Sequence, residues 1–446
     1  ITATPWVPDV DNLKDFLQTG RAITNNVALV GGNKNGDFRL SYTNLDQTGI
    51  VPNTDLRRNT VSLTGGYNFN DKLSARAFVS YIKSESDNRP SISYGTESLM
   101  YLFNCWLPAS VRVEDMKRLY MRGAEGLRQF SWNYNYHDNP YLTVMENTNG
   151  QYYNRIVGNV SLKYQFTDWL NLQLRSATDW SQERREYRRA FSTQRFPFGQ
   201  YRQVNITNEE RNTDFLFTAN KEFGDFTVTG TFGGNQMRQS SRFVENVAGQ
   251  LNIPGIYRLT NSRIPLVSDD LFSEKRINSL YGSISIGYKD WLFLDLTDRN
   301  DWSTALTLPQ QLKEFGVEDN SYNYYSVALS AVLSEVIKLP DFMSFLKVRG
   351  SFAQVGGDTG PFAFTQAYNP STPFGSSQIY GETGALANLS LKPEISSALE
   401  FGTDIRFFDN RVGLDLTYYS SRTINQILSI PLSNTSGFSS RLINAG

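Results

Sequence analysis

The chain has 446 residues, 13% of them aromatic, while 43 basic and 44 acidic side chains leave a net charge of -1 and the mean hydropathy is -0.41. Near-neutral charge removes the bulk field that draws a protein to nucleic acid, and no run approaches the ~18 apolar residues of a membrane helix, so only a closed β-barrel could cross a bilayer. A single cysteine, Cys105, and a single histidine, His137, exclude an internal disulfide framework and a Cys/His zinc cluster.

Ile1 opens the chain without a methionine, a basic n-region or an apolar h-region, so the start reads as a cut end with any secretion signal outside this segment. Ile23 to Gly32 and Asp37 to Leu45 then pair around Asn33-Lys34-Asn35-Gly36, whose Asn-Gly is a strong hairpin signal. After a connection of about a dozen residues to Arg58, Val61, Leu63, Tyr67 and Phe69 alternate with Ser62, Thr64 and Asn68. Across Asn70-Asp71-Lys72 the pattern resumes as Leu73, Ala75, Ala77, Val79 and Tyr81. The long connection Glu85 to Tyr153 follows, with a short helix expected over Val113 to Arg122, since Met116, Leu119 and Tyr120 recur at helical spacing.

Asn154 to Ser181 is the clearest hairpin. Val160, Leu162, Tyr164 and Phe166 share one face and Ser161, Lys163 and Gln165 the other; beyond Thr167-Asp168, Leu170, Leu172 and Leu174 oppose Asn171, Gln173, Arg175 and Asp179. Trp169 and Trp180 stand near its two ends, as amphipathic rings do at a boundary between water and hydrocarbon. Further pairs are Asn212 to Glu222 with Phe226 to Arg238, Asn278 to Tyr288 with Trp291 to Asp301, Asn323 to Ser334 with Phe345 to Gln354, and Ala398 to Phe407 with Val412 to Ser421. This makes about seven hairpins, or about fourteen strands. Turns within a pair are short, whereas the chain wanders between pairs, the asymmetry of short periplasmic turns and long extracellular loops. Alternation alone fits a soluble β-sandwich or propeller too, but strand length, loop asymmetry and aromatic strand ends (Trp169, Trp291, Trp302, Tyr288, Tyr418) favour an all-β transmembrane antiparallel barrel of the outer-membrane type.

Little catalytic chemistry is legible. Gly356-Gly357-Asp358-Thr359-Gly360 lacks the Lys-Ser/Thr of a phosphate loop and reads as a flexible strand exit. Glu183 to Arg189 is a charge run, read as a solvated loop base beyond a strand end. The inward carboxylates Asp179, Asp295, Glu400, Asp404 and Asp415 share their faces with Arg175, Lys347, Arg349 and Arg406, which suits a lumen of mixed charge better than a glycosidase pair.

Several blocks resemble SusC/RagA-type TonB-dependent outer-membrane transporters. They are Asn25 to Tyr81, Asp138-Asn139-Pro140-Tyr141, Arg299-Asn300-Asp301-Trp302-Ser303, Leu346 to Ser351, Leu389 to Glu394 and Thr435 to Phe438, and they keep the family's order over nearly the whole chain. The resemblance implies a barrel of twenty-two strands with a plug inside, energy from TonB, a SusD-like lipoprotein lid and residence in the bacterial outer membrane. On that pattern residues 1–446 are part of one barrel domain, about fourteen of its strands, with the plug and C-terminal strands absent from the segment. The expected function is active import of an oligosaccharide or peptide, without enzymatic activity, cofactor or metal. A passive porin or surface adhesin is the alternative, and a secreted glycan hydrolase a third. The aromatic connection Glu85 to Tyr153 is expected to fold as an extracellular cap touching solute or lid, with Trp132, Tyr134, Tyr136, His137 and Asp138 as candidate substrate contacts.

Overall fold

The computed structural model describes residues 5–92, 94–121, 126–316 and 318–446. Its main element is one 14-stranded antiparallel sheet. Twelve strands follow in sequence order: β1 (Arg21–Asn33), β2 (Gly36–Thr48), β3 (Asp55–Asn68), β4 (Leu73–Ser86), β5 (Asn149–Thr167), β6 (Leu170–Thr193), β7 (Phe196–Phe223), β8 (Phe226–Ala248), β9 (Val267–Tyr288), β10 (Leu292–Ser303), β11 (Ser321–Val332) and β12 (Met343–Gly357). The short strands β13 (Tyr368–Phe374), β14 (Ser377–Glu382) and β15 (Ala385–Leu386) lie outside it; β16 (Glu394–Phe407) and β17 (Val412–Ile424) complete it. β18 (Gln426–Pro431) and β19 (Ser440–Ala445) pair beside β15.

The turns at one end are tight because their residues bond their own backbone. The Asn33 carboxamide accepts from the N–H groups of Asn35 and Gly36 at 2.8 and 3.0 Å, and Asn70 does the same for Lys72 and Leu73 at 2.9 Å each. Lys289 and Asp290 both take positive φ, 48° and 60°, the twist a tight hairpin turn demands.

Period two sorts the side chains into two faces. Val160, Leu162, Tyr164 and Phe166 are 41–56% exposed, while Ser41, Ser80, Asp214 and Ser279 on the opposite face are buried. Apolar residues continue across the sheet as directly opposed rows, such as Ile284, Leu296, Val327, Phe352 and Leu399. A sheet that occludes its hydroxyls and exposes its leucines inverts the arrangement of a water-soluble protein and fits a wall whose outer solvent is lipid.

The expected strands are all present, but the structure corrects several boundaries. β6 and β7 run on to a two-residue turn at Gln194-Arg195, so the charge run Glu183 to Arg189 lies inside β6 rather than in a loop base, and Trp180 stands mid-strand rather than at a hairpin end. Glu183, Arg185, Tyr187 and Arg189 take one face and Arg184, Glu186 and Arg188 the other. Each face sets one carboxylate against two arginines and is only partly neutralised within the run: Arg185 meets Glu183 at 2.6 Å, while Glu186 lies 3.3 and 3.0 Å from Arg184 and Arg188. The connection before β5 shortens to 87–148 and carries helical turns at Leu99–Tyr101, Leu102–Trp106 and Pro140–Met145 besides the expected helix, which spans Val113–Leu119. Arg122, the expected end of that helix, and Ile1 lie outside the described residues.

Candidate functional site

The buried polar face is built from paired charges. Arg155 and Asp179 lie diagonally across β5 and β6 and form a two-bond ion pair. Arg175 reaches the buried Asp214 of β7 at 2.9 Å. Arg299 bonds Asp301 at 2.8 Å and the Ser279 hydroxyl at 2.9 Å, and the Tyr324 hydroxyl donates to Asp301 at 2.8 Å. Farther round, Arg349 holds Asp415 at 2.7 Å, and Arg406 lies 3.3 Å from Asp404. Of the charged groups that the alternation placed on one face, Asp415 meets Arg349 and Asp404 meets Arg406, whereas Asp179 pairs with Arg155 and Arg175 with Asp214, and Asp295, Glu400 and Lys347 are in no ion pair among the described residues.

Above these pairs a cleft of about 500 Å³ opens, lined by Tyr153, Arg155, Asp179, Ser181, Asn208 and Lys275 among others. Lys275 is not free: it bonds Asp358 at 2.6 Å, and Asp358 also accepts from the Ser303 hydroxyl. The Gly356 to Gly360 segment, expected to be a flexible exit, is thus pinned at Asp358. An adjoining cleft of about 800 Å³ shares Tyr153 and runs between the ends of β1 to β6, with Arg89 and Pro90 of the following connection closing one side.

That connection is a folded cap. Its core packs Leu99, Val113, Met116, Tyr141 and Val144 against Phe16 from the segment before β1 and Val51 from the β2–β3 connection. Asn12 bridges the same segment to the cap, donating to the Val111 carbonyl at 2.6 Å and accepting from the Val113 N–H at 2.9 Å. The cap is fastened to the polar side of the sheet by Arg189, whose buried guanidinium bonds Glu97 at 2.6 Å and the Asn149 side chain at 2.9 Å.

The five candidate contacts divide. Tyr134 and Tyr136 are 55% and 67% exposed, whereas His137 and Asp138 are 5% and 3% exposed. Asp138 accepts from the Gln129 amide at 2.6 Å and from the Gln194 N–H at 2.7 Å, which ties the cap to the tip of the β6–β7 hairpin. Gln129 also accepts from the Asn139 N–H at 2.8 Å, and Asn139 caps the helix Pro140–Met145. His137 stacks on Trp132 with ring centres 5.3 Å apart and faces Trp106 at 5.5 Å; among the described residues no group reaches its Nδ1. Burial lowers the His137 pKa and raises that of Asp138. Trp132 packs against the cap core.

Sequence reasoning passed over the exposed Tyr94, whose ring centre lies 4.6 Å from that of Tyr101. It also missed Arg189, a cation among many in its run. Only the position of Arg189 at the end of an alternating charged strand could have signalled that it turns inward.

An antiparallel wall with an apolar outer face, a polar occluded face and short turns at one end defines an outer-membrane β-barrel. Residues 120–446 match the family model described as TonB dependent receptor-like, beta-barrel, and the chain belongs to that family, whose members reside in the bacterial outer membrane. It is 23% identical over 440 residues to TonB-dependent receptor P26 of Formosa agariphila, covering 94% of this chain and 41% of that protein. TonB-dependent receptor P3 of the same organism is 22% identical over 458 residues, covering 97% and 43%. The chain thus spans less than half the length of these relatives. Among solved structures, the RagAB peptide transporter superposes with a TM-score of 0.81 at 16% identity, over 98% of this chain and 48% of that one, so the fold is shared. The SusC/RagA-type resemblance read from the sequence is borne out.

Proposed function

We propose that this chain forms part of the wall and the extracellular cap of a TonB-dependent importer that takes up an oligosaccharide or a peptide. The observation that carries this reading is the polar face itself: a row of ion pairs and hydroxyls, opening into two clefts, one of them closed on one side by Arg89 and Pro90 of the cap, offers a solute hydrogen bonds on the side away from lipid. No bond is made or broken in this role; the inward carboxylates Asp179, Asp404 and Asp415 are each held by an arginine rather than set opposite one another as an acid and a base. The partners are TonB, a SusD-like lipoprotein over the cap, and further strands of the whole protein that close the sheet between β1 and β17.

The exposed Tyr134 and Tyr136 are the proposed contacts to solute or lid, with Trp132, His137 and Asp138 holding the surface that presents them. Uptake of labelled oligosaccharides and peptides by cells carrying the full-length gene, with and without TonB, tests the transport reading. Uptake that persists without TonB would leave a passive porin; no uptake, with attachment to a surface instead, would leave an adhesin. Tyr134→Ala with Tyr136→Ala is expected to weaken uptake or lid association while the barrel assembles normally; unchanged uptake and lid binding would assign these rings to packing alone.

A further inference from the structure

The outward face of the sheet carries a charged feature that transport does not use. Arg211 of β7, Arg238 of β8 and Arg276 of β9 stand directly opposite one another in the ladder, so three guanidinium groups share one row on adjacent strands. Like charges in direct opposition destabilise a sheet. Neutralisation is partial: Glu209 meets Arg211 at 2.9 Å, while Glu274 is shared between Arg238 at 2.8 Å and Arg276 at 2.7 Å. Just beyond the row Arg242 holds Asp270 at 2.7 Å. Four guanidiniums thus face three carboxylates, and every one of the four arginine side chains is more than half exposed.

The strand period fixes where this cluster lies relative to lipid. Arg211 is four residues beyond Phe215 and Arg276 four beyond Leu280, with polar Thr213 and Asn278 between, and even spacing keeps them on the apolar face. Four residues span about 13 Å of strand, or roughly 10 Å along the membrane normal at the tilt of such barrels. Trp302, opposite Asn278 and on the same face, marks the water–hydrocarbon boundary just below the row. The guanidiniums therefore sit at headgroup depth on the extracellular side.

We propose that Arg211, Arg238 and Arg276, assisted by Arg242, form an outward-facing site for the phosphate of an outer-leaflet glycolipid. Each guanidinium has five N–H donors and the carboxylates use only some of them. A phosphate supplies the missing negative charge and matches the guanidinium fork, which makes the row of like charges favourable once lipid is bound. The site fastens β7 to β9 to the membrane at the point where these strands rise out of it.

The full-length transporter, purified in detergent and freed of lipid, is titrated with phosphorylated lipid A, with dephosphorylated lipid A and with inorganic phosphate while its melting is followed. Phosphorylated lipid A alone is expected to raise the melting temperature. The variant carrying Arg211→Gln, Arg238→Gln and Arg276→Gln is expected to bind it about tenfold more weakly or worse, whereas Arg39→Gln, on the opposite face, keeps the shift. Should the triple variant not fold, Arg238→Gln alone, which leaves a carboxylate beside each remaining arginine, is expected to lower affinity several-fold. An equal shift in the arginine variants, or with dephosphorylated lipid A, would overturn the proposal in favour of acyl-chain binding. Reproduction of the shift by inorganic phosphate would reduce it to a free-anion site.

Discussion

Asp138 and His137 sit side by side in the cap, and burial moves them in opposite directions from their ordinary values of 3.8 and 6.5. An acid whose pKa is raised on folding favours the folded state most below its unfolded value, and this contribution is lost as pH rises through the folded value. A histidine whose pKa is lowered contributes stability above its unfolded value, lost as pH falls from 6.5 towards the folded value. Asp138→Asn removes the first dependence and keeps the Oδ1 acceptor for Gln129 and Gln194. Amide exchange in residues 126–148 of that variant is therefore expected to be no faster than wild type at pH 7; faster exchange would mean that the ionised carboxylate stabilises the cap. Asp138→Ala, which strands both donors, is expected to cost about 1–3 kcal/mol of local stability.

At the scale of elements, cap and wall answer to different interactions. Arg189 joins them through Glu97 and Asn149, so Arg189→Ala is expected to expose the 87–148 segment to limited proteolysis while heat-modifiable migration of the barrel is retained; loss of both would make the cap part of barrel folding. The two faces of β5 can be separated with the same substitution at neighbouring positions. Val160→Arg places a charge towards lipid and is expected to destabilise assembly by about 2 to 4 kcal/mol if at midplane, whereas Asn159→Arg, on the polar face opposite Phe78 and Ala177, is expected to assemble normally. Equal folding yields in lipid vesicles would reverse the assignment of faces.

For the whole molecule, the deciding feature is that β1 and β17 each have one sheet neighbour among the described residues. Their outer backbone groups are unpaired along the edge, and hydrocarbon does not tolerate such groups. These 446 residues expressed alone are therefore expected to give no conducting monomer in planar bilayers. A stable single-chain pore from this segment would show that the sheet closes on itself.

The sequence by itself determined the strands within the membrane. Between water or lumen on one side and lipid on the other, Val160, Leu162, Tyr164 and Phe166 must alternate with Ser161, Lys163 and Gln165, so the hairpins, their turns and the sorting of faces were all legible. Once the strands leave the bilayer both faces meet water, the contrast disappears, and Glu183 to Arg189 looked like a loop although the ladder continues through it. Tertiary structure alone decided the cap. Its residues are aromatic in sequence, but which rings are spent on packing and which stay exposed depends on neighbours far along the chain, as Asp138 beside Gln194 and Phe16 beside Tyr141 show. The outward row of arginines was hidden for the same reason: Arg211, Arg238 and Arg276 become neighbours only through the register of three strands, which no local pattern specifies.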